Sequence, residues 1–347
     1  MSEFKYVFSP TGDFKFKIKD GILINTYTQG LTFSNHLEFN RNVVVPNCVT
    51  ELSKSAFSAL PVMDSIFLPS SIENIQKGAF GRVCGDIILD DNFTAAIDDN
   101  GILYSPDMKI LLKATIRAEN INVIIPEGVE EICDNAFDGI NVKSVKLPNS
   151  LVKIGKNAFG DYRTCMGFNM YDTEYNSFDI YIPSNVSYIG LGAFQTYRIK
   201  NIIVSDENNR FKTISGILFT KNGKKLLHCP TEKQSIFNIP KETKKIDKFA
   251  FSWCQIDSII IPSNDIELSY RFNCSKVKRI VLEDGIKSIP DSAFFFCELL
   301  EEIMIPASVT SIGKDAFMRS EKIKIISTED SYAIHYAKEN NIQFKTI

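Results

Sequence analysis

A proline recurs along this chain in fixed apolar company, and no other feature restricts its folding as tightly. Two branched apolar residues flank one position just before it, apolar residues follow at three and six places, and Ala-Phe stands at ten and eleven. VVVPNCVTELSKSAF (43–57), VIIPEGVEEICDNAF (123–137) and IMIPASVTSIGKDAF (303–317) are three copies. Nine segments of 22 to 23 residues share the unit. Six keep proline and Ala-Phe intact, from Pro46, Pro69, Pro126, Pro148, Pro183 and Pro306, while Pro240 opens a seventh with Thr243 at the first apolar place. The units at Pro262, around Phe272, and at Glu283, with Ile286, Ile289 and Ala293-Phe294, are eroded. Three longer units of 35 to 36 residues open near Pro10, Asp90 and Ser205 and carry Gly-Ile-Leu, as GILI (21–24), GILYSPDMKILL (101–112) and GILFTKNGKKLL (216–227). In the last of these Asn222-Gly223 parts two apolar runs, the pair that a type I′ hairpin turn favours.

A unit of this size cannot bury its own apolar face, so the copies must stack. The alternation in Ile66-Phe67-Leu68 or Ile259-Ile260-Ile261 predicts one short strand per coil. Proline, without an N–H, ends each strand at a corner. Alanine lets the chain turn close to its neighbour, and phenylalanine fills the centre as a column of Phe57, Phe80, Phe137, Phe159, Phe194, Phe251, Phe294 and Phe317. The expected fold is a repeat solenoid, a right-handed superhelix of twelve coils with a parallel β-sheet on one side and short strands or turns on the others. It reads as one domain over 1–347: an N-terminal hairpin coil or cap at 1–45, repeats at 46–326 with hairpin coils at 90–125 and 205–239, and a C-terminal cap at 327–347. In that cap Asp330 or Ser331 can begin a helix that turns Ala333, Tyr336 and Ala337 inward, and IQFKTI supplies a last strand.

Composition excludes some classes. With 39 basic and 42 acidic residues the net charge is -3, which gives no global field toward nucleic acid or an anionic membrane. No apolar run is long enough to span a bilayer. MSEFKYVFSP has neither a basic n-region nor an apolar h-region, so no secretory signal is expected in the chain as given. The eight cysteines (48, 84, 133, 165, 229, 254, 274 and 297) form no CxxC pair and read as mostly free, buried thiols, with disulfides the alternative in an exported protein.

No catalytic constellation emerges. His36, His228 and His335 lie in unrelated segments, and no G-x-S-x-G elbow, P-loop or dinucleotide fingerprint is present. His228 beside Cys229 reads as a surface histidine next to a buried thiol. Asp90-Asp91-Asn92 and Asp98-Asp99-Asn100-Gly101 lack the spacing of a calcium loop and read as turns. Lys241, Lys244, Lys245 and Lys248, interleaved with Glu242 and Asp247, read as a solvated face. Sequons begin at Asn92, Asn185 and Asn273 and matter only in a eukaryotic secretory route. Neither a metal nor a cofactor is expected.

The candidate site is the residue two before each proline, which should point away from the core. Along the chain it reads Phe8, Val44, Phe67, Ile88, Ile124, Lys146, Tyr181, Ile203, Asn238, Ile260, Val281 and Met304. A solvated sheet would carry Thr, Ser or charge there, whereas an exposed apolar stripe marks an interface. Phe67, Ile88, Ile124, Tyr181, Ile203, Ile260, Val281 and Met304 are therefore the candidate partner-binding residues. The competing reading is that strands simply favour such residues, or that hairpins fold over them. An aromatic loop around Tyr162, Phe168, Tyr171 and Tyr175 is a second candidate.

Ile-x-Ile-Pro, Val-x-x-Ile and Ala-Phe, with AFSWC (250–254), AFFFC (293–297), Gly-Ile-Leu hairpins and the SYAIHYAKENNIQF ending, resemble the BspA-like leucine-rich-repeat family over nearly the whole chain. The resemblance implies a leucine-rich-repeat solenoid and a non-enzymatic protein-binding role. Its members are commonly surface or secreted proteins that adhere to host components, and no catalytic residues come with it. A host or matrix protein is thus the implied partner. An intracellular scaffold is the alternative, motivated by the missing signal and the free thiols.

Overall fold

The structure, a computed structural model, describes residues 5–8, 15–19, 22–25, 42–54, 56–57, 64–81, 85–161, 176–232, 234–263, 266, 272 and 276–347. It is a β-solenoid of about twelve turns, mostly of parallel strands, with one C-terminal helix. The chain divides into two compact units, residues 1–176 with 188–193, and residues 177–187 with 194–347.

In the first unit the strand before the proline forms two parallel sheets, Asn42–Val44 with Ser65–Leu68 and Asp86–Leu89, and Asn122–Ile124 with Ser144–Lys146. The last amide before a proline still donates across the ladder, Val45 to the Phe67 carbonyl at 3.0 Å. Proline cannot continue this, and its carbonyl instead accepts from the residue three on, as Pro46 does from Val49 at 3.0 Å. Two-residue strands follow, Glu51–Leu52 beside Asn74–Ile75, and Glu131–Ile132 beside Lys153–Ile154 and Tyr188–Ile189. A third ladder runs through Ala-Phe: the amides of Phe57, Phe137 and Phe159 donate to the carbonyls of Ala79, Ala158 and Ala193 at 2.8, 2.7 and 2.8 Å. The rings stack, with centroids 5.7 Å apart for Phe57–Phe80 and 5.0 Å for Phe137–Phe159.

In the second unit Phe178–Ile182 pairs with Ile199–Val204, and a six-stranded sheet runs from Gln234–Asn238 through Ile256–Ile261, Arg279–Leu282, Glu302–Met304 and Lys324–Ser327 to Gln343–Thr346. The aromatic column here is Phe251, Phe272, Phe294 and Phe317, at 4.9, 5.5 and 5.6 Å between successive centroids. The coil at Pro262, eroded in sequence, thus keeps its phenylalanine in the stack. Tyr336 of the C-terminal helix, Tyr332–Glu339, caps the column edge-on at 6.1 Å from Phe317. Ser331 is the N-cap, its side chain accepting from the Ile334 amide at 3.3 Å.

The long units are hairpin coils, and they depart from the ordinary coil in three ways. Their last strand joins the parallel ladder of two-residue strands while the others fold back antiparallel: Ile22–Asn25 on Lys15–Lys19, Ile110–Ala114 on Ile102–Tyr104, Lys225–His228 on Ile217–Thr220. Short polar side chains close the hairpin. Asp107 and Ser105 accept from the amides of Lys109 and Ile110 at 3.1 and 3.0 Å, and Asn222 and Thr220 accept from Lys224 and Lys225 at 3.0 and 3.1 Å. Asn222-Gly223 consequently does not make the two-residue type I′ turn expected from its composition. Gly223 alone of the pair takes a positive φ (+72°), the Asn222 side chain being committed to its neighbours.

The third departure is a buried cationic or titratable side chain where the Ala-Phe corner would stand. Lys113 lies opposite Leu103, and its ammonium donates to the carbonyls of Gly81 and Asn135 at 3.3 and 2.8 Å. His228 holds the matching place opposite Leu218. It is buried, tilted against the Phe194 ring at 6.1 Å, and its Nε2 has no hydrogen-bond partner. The surface histidine expected from sequence is therefore an interior one, because the hairpin strand turns it under the coil. Its neighbour Cys229 is buried as expected. So are Cys133, Cys254 and Cys297, all free thiols, whereas Cys48 is exposed; Cys84, Cys165 and Cys274 lie outside the described residues.

Candidate binding face

Alternation along each first strand settles which side chains the sheet turns outward. Val43, Ile66 and Ile87 are buried, and Val44, Phe67 and Ile88 between or beside them reach solvent. These three sit opposite one another in register. In the same unit Ile124 stands beside Lys146. In the second unit Tyr181 stands beside Ile203, and Asn238, Ile260, Val281 and Met304 follow strand by strand. Val44 and Ile124 are exposed by 64% and 63%, more than an apolar residue on a buried sheet would allow. Ile88, Tyr181 and Ile203 are exposed, and Phe67, Ile260, Val281 and Met304 half-buried. All eight candidate residues therefore reach the surface, in short registered blocks rather than along one unbroken line.

Hairpin coils make two of the breaks, between Ile88 and Ile124 and between Ile203 and Asn238, while the one between Lys146 and Tyr181 spans residues 162–175, outside the described residues. After Asp86–Leu89 a 3-10 turn, Ile116–Ala118, brings Arg117 against the sheet, where its guanidinium donates to the Asp86 carboxylate at 2.9 Å and the Ile87 carbonyl at 3.4 Å. Before Gln234–Asn238, the amides of Thr231 and Glu232 donate to the carbonyls of Ile199 and Lys200. Phe8 does not join the row: its strand, Lys5–Phe8, pairs antiparallel with Lys15–Lys19 in the other sheet. The aromatic loop of Tyr162, Phe168, Tyr171 and Tyr175 lies outside the described residues.

Two places before the apolar row runs a polar one that sequence reasoning missed. Ser65 donates to Asn42 at 2.6 Å, Ser144 to Asn122 at 2.7 Å, and Asn201 to Asp179 at 2.9 Å. Farther along, Arg279, Glu302 and Lys324 alternate in charge on adjacent strands. The signal was present as a polar residue four before every repeat proline except Pro240. One coil exchanges the rows, with Asn238 in the apolar place and Ile236, exposed by 63%, in the polar one. The blocks of Val44, Phe67 and Ile88, of Tyr181 and Ile203, and of Ile260, Val281 and Met304 are thus greasy strips with a polar margin, the arrangement of an interface core beside its rim.

Elsewhere the side chains serve the fold. Asp98 accepts from the amides of Asn100 and Ile102 at 3.0 and 2.9 Å and Asp90 from that of Asn92 at 3.3 Å, so these acids make turns. Burial pushes the Glu131 carboxyl up, but the ammonium groups of Lys77 and Lys153 outweigh it and hold the group below its usual range. Burial drives the Cys133 thiol up to about 12, which removes its nucleophilic form. Lys225 pairs with Asp247 at 2.8 Å in the basic face. The sequon residues Asn92 and Asn185 are exposed, and Asn273 lies outside the described residues. Among the described residues no group of three or more His, Cys, Asp or Glu could hold a metal, and no helix is long and apolar enough to cross a membrane.

Registered coils, an Ala-Phe ladder and parallel sheets built from one strand per coil define a leucine-rich-repeat solenoid, a fold that typically serves protein interaction rather than catalysis. The chain belongs to the BspA type leucine rich repeat family, whose model matches residues 22–96, 117–225 and 220–338 in six copies. Two solved structures share the fold. A leucine rich cell surface protein from Faecalibacterium prausnitzii A2-165 is 20% identical, with 100% of this chain and 98% of that one covered and a TM-score of 0.53. The pneumococcal vaccine antigen PcpA is 18% identical, with 100% of each chain covered and a TM-score of 0.50. No curated protein matches the sequence.

Proposed function

We propose that this chain is a non-enzymatic, adhesin-like binding module, displayed at a cell surface or secreted, that engages a host or matrix protein through the outward sheet face. The observation that carries the reading is the row of Phe67, Ile88, Ile124, Tyr181, Ile203, Ile260, Val281 and Met304, apolar and open to solvent where a purely structural sheet would be polar. Aromatic and Met side chains beside a polar margin are the composition of an interface core. The cell-surface description of the Faecalibacterium protein and the antigen status of PcpA support the compartment. Replacing Phe67, Ile124, Ile260 and Met304 by Ser is expected to lower partner capture at least tenfold while a cooperative unfolding transition is retained, since Ile124 is exposed and the other three are only half-buried. Capture at full strength by that variant would dismiss the row as the site.

The buried free thiols Cys133, Cys229, Cys254 and Cys297 favour a second reading, an intracellular scaffold in a reducing compartment. Protease treatment of intact source cells separates the two: cleavage of the chain supports display, and protection supports the scaffold.

A further inference from the structure

The hairpin coil at 90–125 interrupts a ladder that ordinary coils close. In those coils two successive amides entering the short strand donate to one carbonyl of the coil before: Glu73 and Asn74 to Thr50 at 2.8 and 3.2 Å, Glu130 and Glu131 to Lys109 at 2.7 and 3.2 Å. A second bond follows, Gln76 to Leu52 and Cys133 to Leu111, both at 2.9 Å. By register Lys109 and Ile110 hold the entering places in the hairpin coil, and Glu73 is the matching acceptor. Their amides are already taken by Asp107 and Ser105. Asn74–Ile75 is consequently the outer edge of its sheet, and among the described residues no backbone donor reaches the carbonyls of Glu73 or Ile75.

A cleft of about 550 Å³ runs along that edge. Residues 72–77 form one wall, and Phe93, Ala95, Asp107 and Leu112 contribute to the other. Its charge has a definite sign. Glu131 is shared by Lys77 and Lys153, and Glu130 pairs with Lys109 at 2.8 Å, so with the exposed Glu73 and Asp107 the four carboxylates outnumber the three ammonium groups at this rim by one. The Ser105 hydroxyl, donating to Asp107 at 2.6 Å, holds that carboxyl below its ordinary range and so ionised.

We propose that this cleft receives an extended, basic peptide segment of a protein partner by β-strand addition, two of its amides donating to the carbonyls of Glu73 and Ile75. Main-chain bonds of this kind supply affinity, and alternate side chains supply selectivity. Every second residue would lie on the apolar surface left by Ile75, Phe93 and Ile110, and Lys or Arg between them would face Glu73 and Asp107. The site is separate from the outward sheet face and does not depend on it.

The test pans a phage-displayed library of random eight-residue peptides on the full chain and depletes it on Ala95→Trp, which fills the cleft; should circular dichroism show that variant misfolded, the exposed double change Glu73→Lys with Asp107→Lys replaces it. Survivors are expected to alternate apolar with basic residues. A synthetic copy should lose at least tenfold in affinity when its two donor amides are N-methylated, and again on Glu73→Lys, while Ile124→Ser and Ile260→Ser in the sheet face leave it unchanged. Either no peptide surviving depletion, or survivors indifferent to both N-methylation and Glu73→Lys, would overturn the proposal.

Discussion

Replacing Phe294 by Ala should cost about 3 to 5 kcal/mol of unfolding free energy, the range for removing a fully buried aromatic ring from a packed core. Phe294 has no exposed surface and lies between Phe272 at 5.5 Å and Phe317 at 5.6 Å, so its loss leaves a cavity that two neighbouring coils border. The surrounding ladder resists collapse, because the Phe294 amide is pinned to the Ala316 carbonyl at 2.8 Å. A solenoid transmits the damage only to nearest neighbours. Hydrogen exchange should therefore quicken in the coils at Pro262, Glu283 and Pro306, with the first unit keeping its protection. A loss below 1 kcal/mol in urea unfolding would contradict the column as a main source of stability.

The second large effect is a response to acid that traces to one residue. Burial pushes the His228 imidazole down to about 3 from its ordinary 6.5, and Nε2 has no partner to offset this. The sign follows directly. Below about pH 6.5 the unfolded chain gains a proton that the folded chain refuses, so the stability is complete above that pH and is lost as pH falls toward 3. The slope is about 1.4 kcal/mol per pH unit, on the order of 5 kcal/mol over the whole window. Glu131, held ionised in the fold, adds its own loss only below the ordinary carboxyl range, so pH 6.5 to 5 isolates the histidine. Chemical unfolding across that interval should show wild type losing about 2 kcal/mol more than His228→Leu. Parallel pH profiles for the two proteins would mean that His228 is protonated, or accessible, in the folded state.

The solenoid was legible because its repeat is a set of spacings, and each spacing has one mechanical job. Proline ends a strand, the apolar three residues on closes the corner turn, and Ala-Phe carries a ladder and a column at once. Phe272 shows the limit of that pattern: deletion of one residue and its alanine hid a ring that still stacks at 4.9 Å on Phe251. The outward side of the sheet was legible from period two alone, and so Val44 through Met304 fall where alternation puts them. Its division into blocks was not, because it depends on Arg117 reaching Asp86 and on where the hairpins re-enter the ladder. Neither leaves a periodic mark. The interior place of His228 was hidden for a related reason. Residues after a hairpin can turn in or out, and only the register against Leu218 decides. The open carbonyl edge of Asn74–Ile75 arises from side chains, Ser105 and Asp107, that in sequence look like ordinary turn formers.

Oxidative footprinting of the chain in complex with a captured partner addresses the outward face most directly, since hydroxyl radicals modify exposed Met and aromatic side chains in place and no mutation disturbs the fold. Met304 and Phe67 lie in the apolar row, and Met318 and Phe344, exposed elsewhere, serve as internal references. Binding through the sheet face predicts that oxidation of Met304, Phe67 or both slows severalfold in the complex while Met318 and Phe344 react as before. Unchanged rates at Met304 and Phe67, with protection appearing only outside the row, would contradict the account.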